Sequence, residues 1–133
     1  MLFRSQGTAT AARYADLAEK YLTDKEYEPG TVVAVCNHGD HEVEASSEGQ
    51  RAIGVVSTNP AFMMNKDLEG GTYIALKGRV PVKVIGSVKK GDDLIATNDG
   101  MAMMSVPHAS GVFAVALESS DDAGVKIIEA LVL

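Results

Sequence analysis

The sequence has no tryptophan, only three phenylalanines and four tyrosines, one cysteine and four prolines among 133 residues. Each scarcity removes a class of answers. With so few rings, the core has to be built from Val, Ile, Leu, Ala and Met. A carbohydrate-binding module is disfavoured, because sugar platforms lean on aromatic faces and all four tyrosines fall between Tyr14 and Tyr73. The single Cys36 rules out an internal disulfide and fits a reducing place of synthesis. No apolar run reaches the roughly 18 residues needed to span a bilayer, and Met1–Arg4 is too short for a signal-peptide core. Positive charge is also short. The net charge of −6 argues against a nucleic-acid-binding face. There is no phosphate-binding glycine loop, no CxxC, no HExxH and no nucleophile elbow.

What is present suits a β-protein. Hydrophobic residues make up 46% of the chain, which excludes overall disorder, and 13 glycines suit short strands joined by tight turns. The length allows one domain with one core. The expected organisation is an N-terminal arm or linker over 1–12 and a single β-domain over 13–133. Residues 13–22 carry both a helical stripe (Tyr14, Leu17, Ala18, Tyr21) and an alternation. Without a good cap, the extended reading is preferred, with a helical turn allowed near its start.

Strands are expected at Thr31–Cys36, His41–Ala45, Arg51–Ser57, Thr72–Leu76, Val80–Ile85, Asp93–Thr97, Met101–Met104, Gly111–Glu118 and Val125–Leu133, separated by Gly, Asn, Asp and Pro turns. Ala61–Glu69 reads as a loop or one helical turn. About nine short strands of this kind predict an all-β barrel or sandwich. A weak internal echo accompanies them. Pro29-Gly30 and then a strand precede Ile53–Val56, and Lys90-Gly91 and then a strand precede Phe113–Ala116, at separations of 24 residues (Gly30 to Gly54) and 23 (Gly91 to Ala114).

The segment around Val80–Ile85 stands out. Val80, Val82 and Val84 alternate with Arg79, Pro81, Lys83 and Ile85, the period of a half-buried strand. Pro81 cannot donate to a ladder, so an edge strand or a bulge is expected. Lys77, Arg79, Lys83, Lys89 and Lys90 place five bases and no acid between residues 77 and 90 of an acidic chain. A basic edge is either protected against aggregation or meant for a partner.

Few residues suggest chemistry. Cys36, His38, Asp40 and His41 are all metal-ligating types, but they surround a hairpin turn with its own need for Asn, Gly and Asp, so no metal and no cofactor is expected. A Ser57–His108–Asp99 triad has no local support. The expectation is a non-enzyme with no catalytic residues. Five of the six methionines fall in two clusters, Met63-Met64 and Met101, Met103 and Met104. Adjacent side chains of an extended chain cannot both point inward, and exposed methionine suits a subunit interface. Arg79, Pro81, Lys83, Met63, Met64, Met101, Met103 and Met104 are therefore the candidate interface residues.

Taken together, Arg13–Tyr21, Glu28-Pro29-Gly30-Thr31-Val32-Val33, Ile53–Pro60, Gly78-Arg79-Val80-Pro81-Val82-Lys83-Val84 and Lys90–Leu94 resemble the C-terminal β-domain of tailed-phage fibre and appendage proteins, of the T4-like and cyanobacterial phages, over about 8–133. The same pieces are similar to the intramolecular-chaperone autocleavage domain of neck appendages. The resemblance implies trimers and a structural role in assembling or ending a virion fibre. The implied partners are further copies of the chain and other virion proteins, capsid or fibre shaft among them, with no nucleic acid and no membrane. The implied location is the virion, assembled in the host cytoplasm. No fibrous segment precedes residue 8, and no segment matches a cleavage site beyond the candidate Ser120-Asp121 bond. Two further readings stay open here: a self-cleaving assembly chaperone and a capsid decoration protein.

Overall fold

The computed structural model describes residues 14–133, so the arm expected over 1–12 lies outside the described residues. The strands are β1 (Ala15–Tyr21), β2 (Val32–Val35), β3 (Val43–Ala45), β4 (Ala52–Val56), β5 (Phe62–Met64), β6 (Thr72–Ile85), β7 (Asp93–Thr97), β8 (Met101–Met104), β9 (Val112–Ala116) and β10 (Val125–Val132). A single 3₁₀ turn, Asn98–Gly100, joins β7 to β8. The all-β expectation holds. β1 settles the ambiguity at 13–22 in favour of strand: its alternation wins because Asp16 and Ala18 turn inward while Ala15 and Leu17 turn out. One expectation needs correction: part of Ala61–Glu69 is a strand, β5, held parallel to β1. The strand expected at 72–76 runs on into the segment that begins at Lys77, and the two are one 14-residue strand.

β6 organises the sheet. The order β10-β9-β7-β8-β6 closes on itself through direct pairing of β10 with β6, giving a five-stranded barrel. β4, β2 and β3 continue from β6, and β1 with β5 lies along its other edge. A strand this long has to bend to serve both groups. Gly78 sits at the handover, at φ 108°, with β1 paired to Thr72–Arg79 and β10 to Gly78–Ile85. A side chain there would place Cβ 2.3 Å from the Ala15 carbonyl oxygen, so the bend and the close approach of β1 both require glycine.

The barrel interior is narrow and filled with small aliphatics. Val80, Val82, Val84, Leu94, Ala102, Ala114 and Ala130 are fully buried in one cluster. A five-stranded barrel has room for Val and Ala but little for rings, which is why a chain poor in aromatics can close it. A second cluster of Val33, Val43, Val56 and Ile74 lies under the β2–β4 strands.

The echo in the sequence corresponds to a repeated substructure. β2 pairs with β3 on one side and β4 on the other; β7 pairs with β8 and β9 in the same way. Both central strands slip register at the matching step, Val33/Ala34 and Leu94/Ile95. Gly30 and Gly91 enter at φ 91° and 95°. Their N–H groups donate to Val56 O at 2.9 Å and Ala116 O at 2.8 Å, while Ser46 and Ser105 N–H donate to Val32 and Asp93 O at 2.9 Å each. The fourth strand is β6 for the first unit (Ser57 N–H to Tyr73 O) and β10 for the second (Leu117 N–H to Glu129 O).

Candidate functional site

Of the two alternatives expected for Pro81, an edge strand or a bulge, the edge is not found: β6 is paired with β10 here, and it carries its register shift further upstream, between Ala75 and Lys77 opposite β1. Its strand is flanked by β10 in unbroken register, Glu129 facing Pro81. Lys83 N–H donates to Gly30 O on the opposite side. Alternation puts the missing N–H of Pro81 on that same side, in the gap between Arg79, where β1 begins pairing, and Lys83. The ladder therefore loses no bond to β10. Pro81 is buried, and with Tyr14, Pro29, Lys83 and Ile127 it lines a surface groove of about 430 Å³.

Two of the five bases of the basic stretch are answered within the chain. Arg79 pairs with Glu129 at 3.1 Å and Lys83 with Glu28 at 2.5 Å. Lys83 holds the Glu28 carboxyl below the usual carboxylate range through its hydrogen bond and its charge. Strands β6 and β10 and the loop before β2 are thus tied to each other by these ions.

The apolar surface is where the chain is left open. Among the described residues, strand β5 is hydrogen-bonded only to β1, and Phe62, Met63 and Met64 are 72%, 52% and 40% exposed. Leu17, opposite Phe62 in the register, is exposed beside them. The second methionine cluster divides: Met103 and Met104 are exposed at the end of β8, while Met101 is half-buried against Thr97. Sequence reasoning found the methionines but missed Phe62. The signal was the run Phe62-Met63-Met64, three apolar residues in succession that no half-buried strand can hide.

The remaining candidates separate. Among the described residues, no hydrogen bond joins Ser57, His108 and Asp99. His108 N–H donates to the Asp93 carboxylate at 2.8 Å, Asp99 lies in the 3₁₀ turn, and Ser57 lies near the buried Asp16. Neither carboxylate oxygen of Asp16 nor the Ser57 hydroxyl has a hydrogen-bond partner of good geometry, though the two are close enough to interact. Burial pushes the Asp16 carboxyl above its ordinary range, opposed in part by Ser57 and the Ala61 amide. Ser120, of the Ser120-Asp121 bond, exchanges backbone hydrogen bonds with Val88 in both directions, at 2.9 and 3.0 Å. Its hydroxyl accepts the Asp122 N–H at 3.3 Å, the geometry of a tied turn. Cys36, His38 and His41 do come together, joined by Glu44 and not by Asp40.

No family model matches the chain, and no curated protein sequence matches it. Solved structures do. The C-terminal fragment of gene product 12 of bacteriophage phi29 superposes with a TM-score of 0.68 at 15% identity, covering 89% of this chain and 100% of that one. The pre-mature phi29 gene product 12 gives 0.70 at 14% identity over 93% of this chain, which spans only 22% of that protein. The N base of the phi29 head fiber gp8.5 gives 0.51 at 17% identity, covering 88% and 93% of the two chains. The fold of this chain is the β-fold shared by these phage phi29 proteins, as the sequence resemblance implied.

Proposed function

We propose that this chain is a structural protein of a tailed-phage virion, an appendage or fibre β-domain that assembles with copies of itself around a three-fold axis. The observation that carries the reading is β5. Among the described residues it is exposed, apolar and open along one edge, and it stands on a fold shared with phage proteins, one of them named as a head fiber. An uncovered strand of this composition invites edge pairing and aggregation, so a partner that covers it is the physical expectation. Arg79 and Lys83 have acids of their own chain to pair with. The contact between subunits therefore rests on Phe62, Met63, Met64, Met103 and Met104 more than on charge, and methionine supplies adaptable apolar surface for it.

Sedimentation equilibrium or native mass measurement is the test. The expected species is three times the 14.0 kDa chain. A chain that stays monomeric at micromolar concentration in low salt overturns the reading.

A further inference from the structure

We propose that the β2–β3 hairpin is a zinc site built by Cys36, His38, His41 and Glu44. One ligand atom from each residue falls within 4.8 Å of all the others. A thiolate, two imidazoles and a carboxylate form a mixed S, N, N, O set that suits a tetrahedral Zn²⁺, and small side-chain movements bring such a group to bonding distance. The thiol of Cys36 lies 3.4 Å from His38 Nδ1, and His38 Nε2 lies 3.9 Å from Glu44 Oε1. The His38 and His41 rings meet edge to face at 5.7 Å between centroids.

Two observations set this apart from ordinary turn chemistry. First, His41 Nε2 is a buried nitrogen with no hydrogen-bond partner among the described residues. A buried polar atom left unsatisfied costs free energy, and a bound cation would remove that cost. The carboxylate is meanwhile steadied from behind, because Gln50 Nε2 donates to Glu44 Oε2 at 3.4 Å, as outer-shell groups do for metal ligands.

Second, the fold contains its own control. The β7–β8 hairpin is the counterpart of β2–β3 in the second repeat, and it closes in two fewer residues: Leu94 faces Met104 where Val33 faces Ala45. In the shared register it carries Thr97 where the first hairpin has Cys36, and Met103 where that hairpin has Glu44. Turn closure alone requires none of the four residues. The first hairpin is longer than its counterpart, and its additional length falls among ligand-bearing positions.

The site would act structurally, cross-linking the two arms of the β2–β3 hairpin. Binding releases the Cys36 thiol proton to solvent as the thiolate takes the metal. The test is titration of untagged protein, stripped with chelator, first with Co²⁺ and then with Zn²⁺. The expected result is one equivalent of tetrahedral Co²⁺, with visible d–d bands and thiolate-to-cobalt charge transfer, displaced by Zn²⁺. Cys36→Ser abolishes the charge-transfer band. His38→Asn, at a side chain 69% exposed and so harmless to the fold, weakens binding at least tenfold. Asp40→Asn leaves it unchanged. Absence of the charge-transfer band at saturation, or equal affinity in Cys36→Ser or His38→Asn protein that retains the wild-type far-ultraviolet spectrum, overturns the proposal.

Discussion

Phe62→Ser separates assembly from folding, because Phe62 adds nothing to the monomer core. A phenylalanine buries on the order of 150–250 Å² when covered. With 72% of the residue exposed, most of that area remains available to a partner. At about 25 cal/mol per Å² the unburied part corresponds to about 3 kcal/mol per contact, or about two orders of magnitude in the dissociation constant. The same change removes no core packing, so the stability of the isolated monomer should stay within about 0.5 kcal/mol. The assay pairs sedimentation equilibrium over a concentration series with urea denaturation of the dissociated chain. A cyclic trimer loses three such contacts and its midpoint scales as the square root of its dissociation constant, so the expected outcome is a dissociation midpoint shifted about three orders of magnitude to higher concentration, with an unchanged urea midpoint. An unchanged oligomer mass across the series refutes the assignment of β5 to the interface. A matching loss of monomer stability refutes the claim that Phe62 is spare surface.

Gly78→Ala should cost about 3 kcal/mol by urea denaturation, since it combines overpacking against the Ala15 carbonyl with a left-handed backbone; Gly86→Ala, at φ 87° but with open space around it, should cost only about 1 kcal/mol. Asp16→Asn should raise the melting temperature at neutral pH. The folded-state pKa of Asp16 lies above its unfolded value, so the stability of the protonated form is fully present below the ordinary carboxylate range. It is lost as pH rises through the folded value. The advantage of the Asn variant should therefore vanish below about pH 4 and reach a plateau above the folded pKa; a pH-independent difference in thermal melts would show that burial of Asp16 does not govern it.

The local pattern is legible in the sequence because strand alternation and turn chemistry are short-range signals. Val80, Val82 and Val84 read as one buried face and are one. Gly30 and Gly91 read as entries to strands, and each turns the chain at positive φ into the ladder that follows. The misreadings come from residues whose meaning depends on distant neighbours. Nothing in its own segment marks Gly78 out, yet it is the bend that lets β6 continue from β1 to β10. Pro81 looks like an edge residue because the sequence cannot say which side its missing N–H faces. Arg79 and Lys83 look free until Glu129 and Glu28, each about 50 residues away, are brought beside them. Glu44 could join Cys36, His38 and His41 only once the hairpin register was known.

The repeat offers a way to rank what remains. Two units built on the same hydrogen bonds share whatever the fold requires, so features held by one unit alone are free of that requirement. The first unit has the longer hairpin with Cys36, His38 and His41. It also has the excursion between β4 and β6 that exposes Phe62, Met63 and Met64. The second unit has a short 3₁₀ turn in the one place, and in the other only the turn from Leu117 to Gly124 between β9 and β10. Closing the barrel falls to the second unit together with β6. The first unit, relieved of closure, carries both departures from the shared plan. The apolar strand edge and the ligand-rich hairpin are therefore the parts of this molecule that its architecture does not explain, and they are where interactions with partner and metal are expected to lie.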